Sequence, residues 1–304
     1  MRAQPLIPVL RGRAVAATEA LALGVTPSRL RASDVAHPHH GVAAFGALDA
    51  TLADRCRLLL PVLGGQVWFA GRTAAELWGM SLPRRAGGLS LEVAVLDPRT
   101  PPRRPGVRGS RVSDVRWTML DGVPVLDPSD VWCSLGPMLS LEDLVAAGDS
   151  LLSARHRTGL VTLDELREAS VRHRGKRGMR RVREAITLLR PGAESRPESL
   201  LRLLLVRSEL PEPVIDHAVL TRSGLVLHPD LAYPQARVAI EYEGDGHRTD
   251  RRQWRLDLGR AEAFEDADWR RVLVTADDLF TSPDALVGSL RRLIASRAVP
   301  NGES

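Results

Sequence analysis

The chain has 304 residues, 44% of them hydrophobic, enough for two or three domains, and with aromatics at only 4% their cores rest on Leu, Val and Ala. Its 42 basic residues include a single lysine, Lys176, and the formal net charge of +5 is compatible with a polyanionic partner without establishing one. Cys56 and Cys133 stand far apart, which excludes a disulfide framework or a zinc ribbon; no 18-residue apolar stretch occurs, and Pro5 and Pro8 interrupt the N-terminal apolar run, so a soluble, cytoplasmic protein with no membrane partner is expected.

Residues 14–33 read as two short helices about Gly24, the second capped by Thr26 with Pro27 at its first position. This is the outline of a helix-turn-helix, with Ser28, Arg29 and Arg31 as candidate nucleic-acid contacts, although any helix hairpin with a glycine turn gives the same outline. His37, His39 and His40 have no acid or cysteine at ligand spacing, and a surface turn or wing is the reading for them. A helix over 52–63, a strand over 66–70, a helix over 73–80 and a strand over 89–97 follow from periodicity. Arg99 to Arg116, rich in Pro, Gly and Arg, is either a basic loop on phosphate or a solvated hairpin; the lack of interleaved aromatics favours the hairpin. A strand from Gly122, a helix over 129–135 and a helix capped by Ser140 complete an α+β segment. Thr162 opens another helix, and Arg172 to Arg183 carries the densest positive charge, suited to a phosphate backbone or to a solvated helix face.

After Pro191 and Gly192, Glu194 and Glu198 begin an apolar helix that runs to about Ser208. A strand over 214–221, a Ser223-Gly224 turn, a strand ending near Ala232, a strand over 237–243, a helix over 249–266, a strand over 271–275 and a helix over 283–296 complete the order. On the 249–266 helix, Trp254, Leu258 and Ala261 form an apolar stripe that continues at Phe264 or Glu265. If Pro234 to Arg237 make a four-residue turn, antiparallel pairing sets Asp230 opposite Glu241, with side chains roughly 5 Å apart. Carboxylates placed so either raise one pKa or bind a cation between them, and Mg²⁺ is a hard ion suited to such oxygens. Glu243, two residues on, shares the face of Glu241. Arg248, Arg251 and Arg252 start the next helix, where they either hold a phosphate or balance the acids.

These residues carry a resemblance. Glu198, Pro229-Asp230, Glu241-Tyr242-Glu243-Gly244, His247, Gln253-Trp254 and Trp269-Arg270-Arg271-Val272-Leu273 resemble, in order and placement, the very-short-patch-repair-like branch of the PD-(D/E)XK nucleases, over residues 190–298. More loosely, residues 10–150 resemble AbiEi-type antitoxin proteins, which begin with a winged helix-turn-helix; Gly24 to Arg31 and Arg72 to Gly79 carry that likeness. The first resemblance implies that Asp230 and Glu241 bind Mg²⁺ or Mn²⁺, that the Tyr242 carbonyl adds a ligand, that Glu198 supports the site and that His247 is a base or a phosphate contact. His247 reads equally as a polar cap after a glycine-rich turn. The superfamily lysine would fall at position 243, where a third carboxylate stands, so the site is either strongly metal-dependent or degenerate.

The expected fold is α/β in the broad sense, a multi-domain α+β chain. Its parts are an N-terminal winged helix-turn-helix (1–50), an α+β middle domain (51–155), a basic helical connector (156–190) and a restriction-endonuclease-like mixed sheet flanked by helices (191–299). The expected activity is metal-dependent hydrolysis of DNA phosphodiesters, with a non-catalytic antitoxin-type DNA-binding regulator as the alternative and a partner-binding scaffold as a third reading. DNA is the expected partner, a homodimer is left open, and no small-molecule cofactor is expected.

Overall fold

The structure, a computed structural model, describes residues 8–10, 12–46, 51–84, 90–153, 161–244 and 251–297, with residues 8 and 251–258 as backbone only. The chain divides into two compact units, residues 1–79 with 84–135 and residues 80–83 with 136–304. Of the four expected parts, 1–50 and most of 51–155 as far as Leu135 fall in the first unit, and the rest of the second part from Gly136, the basic connector and the last part fall in the second.

The first unit opens with β1 (Arg13–Ala16), α1 (Ala17–Ala22), α2 (Pro27–Leu30), β2 (Val35–Ala36) and β3 (Val42–Phe45), the three strands forming an antiparallel sheet in the order β1-β3-β2. This order of strand, helix, turn, helix and hairpin is that of a winged helix-turn-helix. The helix expected from residue 14 starts only at Ala17, because Ala14 to Ala16 pair with Val42 to Ala44; sheet pairing overrides the helix preference of alanine. Thr26 caps α2 as expected, its side chain accepting from the Arg29 N–H at 3.2 Å.

Next come α3 (Leu52–Leu63), β4 (Val67–Phe69), α4 (Gly71–Leu77), β5 (Leu91–Leu96), β6 (Val107–Val112), β7 (Trp117–Leu120), β8 (Val123–Leu126) and α5 (Pro128–Leu135). The five strands order as β6-β5-β4-β8-β7. The expected hairpin within Arg99 to Arg116 is not there: β6 runs parallel to β5, from Leu91 opposite Val107 to Leu96 opposite Val112. Four prolines between residues 97 and 106 disfavour a tight antiparallel turn, and the chain travels back to start β6 beside the start of β5.

The second unit begins with a helical layer, α6 (Leu141–Leu152), α7 (Leu163–Arg172) and α8 (Met179–Leu188). Ser140 caps α6, and Thr162 forms a capping box with Glu165 on α7. Gly178 precedes α8 at φ +84°, where a Cβ would stand 2.4 Å from Pro137 N, so glycine is required. Met179, Val182 and Ala185 face inward while Arg180 and Arg183 are exposed, which makes the basic run the outer face of an amphipathic helix. What ties this layer to the rest is Asp149, fully buried on α6. It accepts from the Arg190 N–H at 2.7 Å, the Ser199 hydroxyl at 2.8 Å and the guanidinium of Arg202, itself only 1% exposed, at 3.1 Å.

The remainder is α9 (Arg196–Arg207), β9 (Val214–Ile215), β10 (Val219–Leu220), β11 (Val226–Leu227), β12 (Leu231–Tyr233), β13 (Val238–Glu243), α10 (Arg251–Asp266), β14 (Arg270–Thr275), α11 (Ala276–Phe280) and α12 (Pro283–Arg297). A mixed sheet in the order β14-β13-β12-β9 is parallel only between β13 and β14. The single strand expected over 214–221 is broken near Asp216, at φ +53°, into β9 and the separate β10–β11 hairpin. The two faces of β13 divide cleanly. Val238 and Ile240 pack with Leu201 and Leu205 of α9 and Leu290 of α12, whereas Ala239 packs with Phe264 of α10. At the end of the predicted stripe on α10, Phe264 is the buried residue and Glu265 is exposed.

Candidate active site

The site is built on the β12–β13 hairpin. Its turn is a 3₁₀ segment, Pro234 to Ala236, closed by Arg237 at φ +49°, so the connection is the four-residue turn read from the sequence. The register pairs Leu231 with Ile240, Ala232 with Ala239 and Tyr233 with Val238; continued by one residue it sets Asp230 across from Glu241. Asp230 uses one carboxylate oxygen to accept the Tyr242 N–H at 2.7 Å, which ties the strand start to β13.

Alternation places Ala239, Glu241 and Glu243 on the face toward α10, and the parallel register places Arg271, Leu273 and Thr275 of β14 beside them. Glu241 is 7% exposed. One of its oxygens accepts from Arg260 of α10, at 2.6 Å from Nε and 2.5 Å from Nη2, and the other from Arg271 Nε. Arg260 also donates to the His228 carbonyl at 2.8 Å and lies over the Phe264 ring, 5.6 Å from its centre, so its guanidinium bridges α10 and the hairpin.

Glu198 approaches from α9. Ser195 caps that helix, and the Glu198 carboxylate turns back to accept the Glu194 N–H at 2.7 Å. Glu198 is 9% exposed, and burial raises its pKa above the ordinary carboxylate value. Asp230 is more strongly affected: burial first, then the charges of Glu198 and Glu241, push it up to about 7, against the opposing pull of the Tyr242 N–H and Arg260. Three carboxylates expected to act together are thus electrostatically coupled. Beside them, His228 Nδ1 lies 2.7 Å from an oxygen of Asp216.

Not every expected site residue falls into this cluster. Glu243 is half-buried at the end of β13. His247 and Arg248 lie outside the described residues, as do the side chains of Arg251 and Arg252. In the first unit Ser28 and Arg31 are exposed, but Arg29 is 7% exposed and forks onto Asp34 with two bonds of 2.8 Å, which makes it a brace for α2 rather than an open contact. His37 sets its two ring nitrogens against the carbonyls of Val42 and Leu30, at 3.1 and 2.9 Å, in keeping with a turn.

Arg260 and Arg271, the two arginine partners of Glu241, are the residues of this cluster to which sequence pattern assigns no role. Arg271 was in view beside Trp269 and Arg270, and the alternation of β14 would have set it on the acidic face once the parallel pairing was known.

A divalent cation can be tested against these residues. The donors are hard oxygens, and the mutual repulsion that lifts Asp230 is what a cation would relieve, so Asp230 and Glu198 fit. Glu241 fits only if it releases an arginine, and among the described residues no group of three or more acids, histidines or cysteines is arranged to hold a metal ion.

No family model matches the chain. Two proteins of Mycobacterium tuberculosis, both described as uncharacterised, are similar to it: Rv2248 of strain H37Rv and MT2308 of strain CDC 1551 / Oshkosh, each 26% identical over 257 residues, spanning 82% of this chain and 89% of the relative. Among solved structures, the Rv2827c protein of the same species aligns with a TM-score of 0.39 and 17% identity over 61% of this chain and 78% of its own, too distant to bear on fold or function. Among the described residues no helix is long and apolar enough to cross a membrane.

Proposed function

We propose that the chain is a metal-dependent DNA endonuclease whose site is formed by Asp230, Glu198 and Glu241, with its N-terminal helix-turn-helix module as the part that engages DNA. The observation that carries this reading is the carboxyl of Asp230, pushed up to about 7 by burial and by two neighbouring acids at a hairpin end. Groups so perturbed cluster at functional sites, because a structural carboxylate is normally given donors instead of like charges. The resemblance of these residues to the PD-(D/E)XK pattern supports the same assignment.

Asp230 and Glu198 would hold Mg²⁺ or Mn²⁺, which when bound supplies charge stabilisation for a phosphoryl oxygen and a more acidic water. The remaining roles fall to the chain itself. The Tyr242 N–H fixes the orientation of Asp230. Arg271 and Arg260 hold Glu241 on the α10 face, and Arg260, about one third exposed, has a guanidinium within reach of an incoming phosphate.

Glu241, with an arginine on each oxygen, favours a second reading in which the site is degenerate and the protein is a non-catalytic DNA-binding regulator. One assay separates the two. Supercoiled plasmid is incubated with the full chain and Mg²⁺ or Mn²⁺ beside Asp230→Ala and Glu241→Ala. Nicking by the wild type that falls at least about a hundredfold in both variants is the expected result. No nicking with either metal, or equal nicking by the variants, removes the catalytic reading and leaves the regulator.

A further inference from the structure

The segment that joins β5 to β6 folds back against β6. A Cβ on Gly109 would stand 2.5 Å from Pro101 Cβ and 3.1 Å from the Pro102 carbonyl, so the Pro-Pro step lies directly on the strand and no larger residue fits beneath it. The two form an open cleft of about 470 Å³, with Arg103, Arg104 and Arg111 in its walls.

The charge in this cleft is one-sided. Between residues 97 and 111 the chain has five arginines, at 99, 103, 104, 108 and 111, and one acid, Asp97. Arg99 is spent on the Gly65 carbonyl and on Gln66, and Arg111 faces Asp97 at 3.8 Å with both more than half exposed, a contact of little strength. Among the described residues Arg103 has no ion pair and is exposed, while Arg108 lies on the face of β6 opposite to Gly109 and Arg111. Because β6 is the outermost strand, one row of its N–H groups has no strand partner among the described residues.

The cleft continues toward the wing of the helix-turn-helix. Arg104 donates to the His40 carbonyl, between β2 and β3, at 3.1 Å. Burial, and then the charges of Arg55 and Arg104, hold the neighbouring His39 below the ordinary imidazole range, so the wing tip sits in a positive field. Guanidinium groups in the walls of an open cleft offer planar, permanently charged donors suited to phosphate oxygens.

We propose that this cleft, joined to the wing through Arg104 and His40, is a second binding site for the phosphodiester backbone of duplex DNA, with Arg103, Arg104 and Arg111 as its phosphate contacts. The assignment rests on the DNA reading above for its ligand but requires neither metal nor catalysis.

The test is fluorescence anisotropy with a labelled DNA duplex and the full chain in chelator, from about 50 to about 200 mM salt. In Arg103→Gln/Arg104→Gln/Arg111→Gln the slope of log K against log salt becomes shallower by about 2 to 3, and low-salt affinity falls at least about tenfold. Arg180→Gln/Arg183→Gln, on the exposed face of α8, serves as a control for bulk charge. An unchanged slope in the triple variant overturns the site, as does an equal loss per charge in the α8 control, or tighter binding of a labelled RNA duplex. A change in slope without plasmid nicking upholds the cleft while the catalytic reading falls; nicking with an unchanged slope does the reverse.

Discussion

Asp149 and Asp230 are both withdrawn from water in the second unit, and their surroundings differ in kind. Asp149 meets a guanidinium, a hydroxyl and a backbone N–H. Asp230 meets one backbone N–H, while the carboxylates of Glu198 and Glu241 act against its ionisation and the nearby arginines attend chiefly to Glu241. A carboxylate supplied with donors holds a structure together. One left among like charges is a place where free energy is stored against the arrival of something positive.

The largest loss expected from this contrast is at Asp149. Asp149→Ala removes the buried carboxylate from Arg202, which keeps Glu212 and the Leu188 carbonyl, and from the Ser199 hydroxyl and the Arg190 N–H, and should cost about 3 kcal/mol in a denaturant titration of the full chain. A loss below about 1 kcal/mol would mean that the pair does not tie α6 to α9. Asp230→Asn should act in the opposite direction. The folded pKa of Asp230 lies near 7, above its ordinary 3.8, so the folded state binds the extra proton between these values and stability falls as pH rises through that window. The neutral amide removes that loss. In metal-free buffer the variant should match the wild type below about pH 4 and exceed it by up to about 4 kcal/mol above pH 7. A thermal-melt series in which the two proteins run parallel from pH 4 to 8 breaks the comparison. Glu198→Gln is the mildest change. Removing one of the two like charges should lower the midpoint of the pH-dependent loss without abolishing it, a shift worth on the order of 1 kcal/mol. A midpoint that stays in place would show that the charge of Glu198 does not act on Asp230.

The hairpin was legible in the sequence because its signals are local. Pro234 and the alternation of residues 238–243 specify turn and faces, and these give the opposition of Asp230 and Glu241. The cap residues Thr26, Ser140 and Thr162 were legible for the same reason. What escaped depends on pairing between distant segments. Arg260 and Arg271 reach Glu241 from 19 and 30 residues away, through a crossover whose parallel pairing leaves no mark on composition. The docking of α6 to α9 turns on one aspartate in an apolar helix, whose partners lie about 40 to 50 residues away and carry no local signal. The strand at residues 13–16 lost its identity to alanine, whose helix preference is weaker than a row of pairing bonds.

The outermost strand of the five-stranded sheet has one more property. An uncovered strand is a template on which a second copy of the chain can add itself, and β6 has Arg108 and Arg111 along that border with a proline-rich loop folded over it. At the opposite border β7 exposes Trp117 and Met119, with no charged residue in the strand. The sheet is therefore guarded against self-association on one side by electrostatic repulsion between copies, and the colloidal stability of the protein should fall with added salt faster than its folding stability does.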